Sequence, residues 1–238
     1  MRLAILGDIH GNMEALGSAY EAALKEGPDD VMHLGDLGGY APFVNEVAEF
    51  LIEKNIRGVQ GNYDFNVAAD SEHCGCRYED PAQAALADLS FGWTKKHASQ
   101  KSKEYMKGLP ADIRMDIKGK RVALFHATPQ KNNIYWHEDR PERFFEEMAR
   151  KSGADVMIYG HTHRPYMKEY GGRFFINAGS TGKPKDGDPR ACIAIVDIEE
   201  AGVACRFLRV PYDIERTKEA IIRSGLPPEF AGLLQDAR

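Results

Sequence analysis

The sequence predicts an α/β protein with two β-sheets, on two observations. Over the first third, short continuous apolar runs alternate with segments whose apolar residues recur at helical spacing. From residue 112 onward the period shifts to paired runs of strand character separated by glycine-containing turns. The 238 residues suit one large domain, and no repeat, low-complexity tract or linker divides them. Residues 1–238 therefore read as a single domain, with a cap-like helical insertion at about 65–110.

Each element has a local cause. The run RLAIL (2–6) is a buried strand, and Asn12 is a cap for a helix whose Leu16, Ala19, Tyr20, Ala23 and Leu24 share a face. Gly27-Pro28 ends that helix. VMHL (31–34) is the second strand, VNEVAEFLIEKN (44–55) the second helix and IRGVQ (56–60) the third strand. Strand and helix alternating at these lengths imply parallel pairing through right-handed crossovers. Asp80-Pro81 opens a helix running to about Trp93, and 99–110 forms another, stopped by Gly108 and Pro110. DIRMDI and RVALFHA flank KGK as a hairpin, 141–153 is a helix, and DVMIY (155–159) is a buried strand. YMKEY and RFFINAG pair about Gly171-Gly172, CIAIVDI and VACRFLRV about 199–202, and helices at about 213–224 and 227–236 follow.

Composition narrows the function classes. Thirty-one basic against thirty-six acidic side chains give a net charge of -5, which offers no global basic field for nucleic acid. The apolar run at the N-terminus stops at Asp8 and no later stretch reaches spanning length, so a cytoplasmic protein with no membrane contact is expected. Cys192 and Cys205 sit in alternating apolar runs and read as core. Cys74-Gly75-Cys76, beside His73, lacks the second cluster of a structural zinc site and is expected to lie outside the catalytic centre. The lysines of 95–107 read as a solvated helix face.

The buried runs share a feature that composition does not predict. RLAIL exits into Gly7-Asp8-Ile9-His10, VMHL into Gly35-Asp36, IRGVQ into Gly61-Asn62, RVALF into His126, and DVMIY into Gly160-His161-Thr162-His163. In an open α/β sheet the C-terminal strand ends converge on one crevice. Carboxylate, amide and imidazole donors suit divalent Mn, Fe, Zn or Mg. Two metals need a bridging carboxylate, and Asp36 is the lone carboxylate at its strand end.

Asp8-x-His10, Gly35-Asp36, Gly61-Asn62-Tyr63-Asp64, His126 and Gly160-His161-x-His163 resemble the dispersed signature of calcineurin-like metallophosphoesterases. The segment 177–197 resembles their small prokaryotic phosphodiesterase branch, and the likeness runs from residue 1 to about 212. It implies two packed mixed sheets flanked by helices. It also implies two divalent ions, manganese favoured, one held by Asp8, His10, Asp36 and His163 and the other by Asp36, Asn62, His126 and His161. FHATP departs from the family's usual sequence at His126. The implied reaction is hydrolysis of a small phosphoester, most naturally a phosphodiester, by a metal-bridging hydroxide. Asn62, Tyr63 and His161 are the candidate catalytic residues, and Arg164 the candidate phosphate contact. Many members carry His where this chain has Tyr63, and a phenol is a poorer proton shuttle at neutral pH. His73 and His137 are the loop residues that would replace it, whereas His33 reads as core. Two further readings are a non-catalytic scaffold of the same fold and a nucleic-acid phosphodiesterase; the intact ligand set argues against the first and the acidic balance against the second.

Overall fold

The computed structural model describes residues 1–76 and 80–238. Strand β1 (Arg2–Leu6) leads to helix α1 (Met13–Lys25), β2 (Asp30–His33) to α2 (Val44–Glu53), and β3 (Arg57–Gly58) to α3 (Asn62–Ala68). Helices α4 (Pro81–His97) and α5 (Gln100–Gly108) follow, then β4 (Asp112–Ile117), β5 (Lys120–Phe125), α6 (Glu142–Ser152) and β6 (Val156–Tyr159). The remainder is β7 (Tyr166–Tyr170), β8 (Arg173–Asn177), β9 (Ala191–Glu199), β10 (Gly202–Val210), α7 (Ile214–Arg223) and α8 (Glu229–Asp236).

Among the described residues two five-stranded mixed sheets result, ordered β10-β9-β1-β2-β3 and β4-β5-β6-β8-β7. Strands β1, β2 and β3 are parallel, as helical crossovers require, and β9 and β10 extend that sheet antiparallel. In the second sheet β5, β6 and β8 are parallel, with antiparallel β4 and β7 at the edges. The two-residue period of the strands sorts side chains between layers. Leu3, Ile5 and Met32 pack with Leu124, Val156, Ile158 and Ile176 between the sheets. Ala4 and Leu6 pack outward with Leu16, Ala19, Val47 and Leu51 of α1 and α2. On the far face of the second sheet, Phe125, Met157 and Tyr159 meet Phe145 and Met148 of α6. Each fully buried Leu or Ile contributes on the order of 1.5–3 kcal/mol, so apolar burial sets the spacing of the sheets.

Most elements form where local pattern places them. Asn12 caps α1 by accepting the Ala15 N–H at 3.2 Å, and Asp80 caps α4 by accepting that of Ala82 at 2.9 Å. Three details differ. β3 pairs over only two residues, because Gln60 turns away and donates to the Pro110 carbonyl at 2.8 Å. Helix α3 is absent from the sequence reading. It begins at Asn62 because Asp64, at its third position, accepts the Gly61 N–H at 2.8 Å. Helix α4 runs on to His97, past the expected end near Trp93. Among the described residues no helix is long and apolar enough to cross a membrane.

Candidate metal centre

Strand exits from both sheets meet at one place. β1 delivers Asp8 and His10, β2 Asp36, β3 Asn62, β5 His126, and β6 His161 and His163; all seven side chains are buried. Five of them have left-handed backbone, with φ of 41° at Asp8, 49° at His10, 52° at Asp36, 68° at His161 and 60° at His163. Such conformations cost L-residues roughly 1–3 kcal/mol each and persist only where surroundings enforce them. Here the enforcement is main-chain: His10 N–H donates to Asp36 O and Gly160 N–H to His126 O, each at 2.8 Å. A Cβ at Gly160 would collide with the Asp8 carboxylate, and one at Gly61 with that of Asp36. Both positions require glycine for that close approach.

The donors fall into two groups. Asp8, His10 and His163 each bring one ligand atom within 4.8 Å of the others, and so do Asp36, His126 and His161. Backbone carbonyls fix three of the four rings. His10 Nδ1 lies 2.8 Å from Gly38 O, His163 Nδ1 2.6 Å from Lys183 O, and His126 Nδ1 2.7 Å from Leu34 O. A carbonyl only accepts, so each Nδ1 is the protonated nitrogen and each Nε2 presents a lone pair. The Nε2 atoms of His10 and His163 face each other at 3.1 Å. His126 Nε2 stands 3.1 Å from both Asn62 Oδ1 and His161 Nδ1. His161 Nε2 is buried with no hydrogen-bond partner among the described residues.

Electrostatics agree with a cation-shaped demand. Burial lifts Asp8 to about 6 and holds Asp36 well above the usual carboxylate range, where Asp8 and Asp64 repel it further. Burial first, then mutual repulsion of neighbouring cationic groups, pushes His10, His161 and His163 far below the ordinary imidazole range. Among the described residues only imidazoles come within ion-pair distance of these carboxylates: His163 of Asp8 at 3.3 Å, and His10 and His126 of Asp36 at 3.8 and 3.5 Å. Buried carboxylates with no Lys or Arg in ion-pair contact among the described residues, beside lone pairs that face one another, fit divalent metal. Both Asp36 contacts are made by Oδ2, so one oxygen lies between the two groups. Its Oδ1 accepts the Tyr63 N–H at 2.9 Å. Asp64 accepts the N–H groups of Asp36, Leu37 and Gly61 at 2.8, 2.9 and 2.8 Å, latching the β2 exit to α3.

The remaining predicted residues are placed differently. Tyr63 is buried with its ring 5.5 Å from His10, but its hydroxyl turns into the core and donates to Ser90 Oγ at 3.3 Å. The hydroxyl is thus engaged by Ser90, whereas the backbone N–H of Tyr63 serves Asp36. Arg164 is exposed, its Nε donating to the Lys185 carbonyl at 2.9 Å. His73 is exposed and paired with Asp88 at 3.4 Å. His137 is half-buried, stacked with Tyr135, whose ring in turn stacks on His161 at 4.5 Å. Cys76 lies nearer the centre than expected, its sulfur 3.2 Å from Asn62 Nδ2. The sequence reading also missed Lys185. Lys185 is half-buried; desolvation lowers the pKa of its ammonium while Cys76, Asp8 and Asp36 oppose that shift, and among the described residues no carboxylate is in ion-pair contact with it. The two lysines of Gly182-Lys183-Pro184-Lys185 were the available signal.

The chain matches the calcineurin-like phosphoesterase superfamily domain over residues 1–201 and belongs to that family, which makes it a phosphoester hydrolase by class. It is similar to an uncharacterized protein of Methanocaldococcus jannaschii, 30% identical with 94% of this chain and 93% of the relative covered. It is also similar to phosphodiesterase YfcE of Escherichia coli, 26% identical over 79% of this chain and 84% of that protein. Among solved structures, a metallophosphoesterase from Sphaerobacter thermophilus superposes with a TM-score of 0.80 at 26% identity, with 100% of each chain covered. Family membership and the two donor groups together imply divalent metal ions.

Proposed function

We propose that this protein is a dinuclear metal-dependent phosphodiesterase acting on a small substrate. The observation that carries the reading is the single Asp36 oxygen within 4 Å of an imidazole from each group. One ion would be held by Asp8, His10, Asp36 and His163, the other by Asp36, Asn62, His126 and His161. This oxygen and nitrogen set suits manganese, our first choice, as well as iron, zinc or magnesium. When bound, the metals supply positive charge that acidifies water and polarises phosphate oxygens.

The chain's own residues supply the rest. The Lys185 ammonium adds positive potential beside the carboxylates and draws a phosphate into the crevice. Arg164 offers its remaining guanidinium donors at the rim, where they suit an anionic oxygen. A cavity of about 470 Å³ lined by Gln60, Phe65, His126, Thr128, Lys131 and Asn133 adjoins His126 and suits the ester group of a small diester. Helix α3 and the Cys74–Cys76 turn wall the site, consistent with 65–110 being a cap-like part of a single domain. The similarity to YfcE, named a phosphodiesterase, favours diesters over monoesters. The test is metal stoichiometry at saturating supply, together with hydrolysis of a chromogenic diester by the native protein and Asp36→Asn. Two ions per chain and turnover lost in the variant are expected; one ion, or a fully active variant, overturns the reading.

A further inference from the structure

Asn62 is the only amide among the candidate ligands, and an amide can present either end. A half-turn of its last torsion exchanges oxygen for nitrogen, and only the oxygen can face a cation. The structure contains a device that selects one orientation. Asn62 Nδ2 donates to the Cys74 carbonyl at 3.0 Å and to Cys76 Sγ at 3.2 Å, while Oδ1 points to His126 Nε2 at 3.1 Å. The turn bearing these acceptors is itself anchored. Asn66 Nδ2 donates to the Cys74 carbonyl at 3.0 Å, and Asn133 Nδ2 to that of Gly75 at 2.9 Å. Gly75 takes φ of 80°, which bends the turn over α3. The Cys74 side chain is buried in the core with Val67 and Phe91.

We propose that Cys76, together with the Cys74 carbonyl, is a positioning element for Asn62: the two acceptors occupy the amide hydrogens and leave Oδ1 to face His126 Nε2 in the second donor group. This rests on the two-metal reading above. Cys74 acts through its backbone, so its thiol is dispensable for the role, whereas Cys76 acts through its side chain. A partner that orients a ligand typically changes metal affinity by 10–100-fold when removed. The effect should fall on one ion, because the Asp8, His10 and His163 group has no bond to this turn among the contacts named above.

The experiment titrates metal-free protein with Mn²⁺ by calorimetry, comparing native chain with Cys76→Ala, Cys76→Val and Cys76→Ser. Ala and Val remove the acceptor, Val keeps the volume should Ala disturb folding, and Ser restores an acceptor. Expected are two binding events in the native protein, one of them weakened roughly 10–100-fold in Ala and Val with the other unmoved, and recovery toward native in Ser. A second readout needs no metal: solvent exchange of the Asn62 side-chain amide, assigned by its disappearance in Asn62→Asp, should accelerate in Cys76→Ala and Cys76→Val and slow again in Cys76→Ser. Unchanged exchange and affinity in Ala and Val, or equal losses in all three variants, overturn the positioning role. A native protein that takes one ion overturns the two-metal reading instead, and amide exchange still decides whether Cys76 orients Asn62.

Discussion

The two donor groups draw on the same two sheets but are held by different means. In Asp8, His10 and His163, both rings are anchored through Nδ1 to main-chain carbonyls, Gly38 and Lys183, at 2.8 and 2.6 Å. In the other group His126 is anchored in the same way to Leu34, but among the described residues His161 Nε2 has no anchor, and neighbouring Asn62 hangs on a cysteine turn. Main-chain anchors are indifferent to side-chain substitution, since every residue has a carbonyl. The first group is therefore robust to change in its surroundings, and the second is the half that sequence variation can tune.

The largest effect should come from separating the halves. His163→Asn should weaken one ion and Asn62→Ala the other, each by more than about 100-fold, since a ligand matters more than its outer partners. Metal analysis of each variant checks this, and loss of both ions in either variant would show that the halves do not act separately.

Tyr63 sharpens the contrast from the first half, because its ring flanks His10 while its hydroxyl serves Ser90. With no strong acid at that position, the native rate should depend steeply on leaving-group acidity, favouring aryl over alkyl diesters. Tyr63→His should narrow that gap by helping poor leaving groups, toward the roughly 10²–10⁴-fold worth of general acid catalysis. Tyr63→Phe should change turnover only a few-fold and cost about 1 kcal/mol for the lost hydrogen bond. A leaving-group series on the three proteins across pH tests both; a flat dependence in the native protein would point to a donor such as His137.

His33 braces the β2 exit that serves both halves, its Nδ1 accepting the Gly35 N–H at 3.2 Å. Burial lowers it to about 3. Because the folded value lies below the unfolded one, near 6.5, the unfolded chain binds the proton first as pH falls. The neutral ring's contribution is thus present above about 6.5 and is lost as pH drops toward 3, by at most about 1.4 kcal/mol per unit. Urea unfolding at pH 6 and 5 should show a shallower decline in His33→Gln than in the native protein; equal slopes would mean that the ring is protonated in the fold.

The smallest effect belongs to the tunable half. Cys74→Ser/Cys76→Ser keeps both a carbonyl and a side-chain acceptor for Asn62, so diester hydrolysis should stay within a few-fold of native. A large loss would show that sulfur itself, beyond its place as acceptor, matters at the second group.

Much of this molecule was legible in advance, and the reason is periodicity. The apolar runs at 2–6, 31–34, 121–125 and 156–159 mark buried strands, and each exits into a residue able to bind metal, because strand ends in α/β sheets converge. Helix α3 escaped because its signal, one Asp at the third position, follows a glycine that also reads as a strand exit. The Cys76 placement and Lys185 escaped because nothing in C-G-C or G-K-P-K states which residue it will face.

By itself, then, the sequence determined most of the element types, the parallel pairing of β1, β2 and β3 and the chemistry of the donors, all properties carried by residues close together in the chain. Only the tertiary structure decided the left-handed backbone at five of those donors, the tautomers of three rings and the orientation of one amide. The physical reason is distance in sequence: Leu34 anchors His126 across 92 positions and Asp8 accepts from His161 across 153. A carbonyl that anchors a ring looks like every other carbonyl until the sheets have packed.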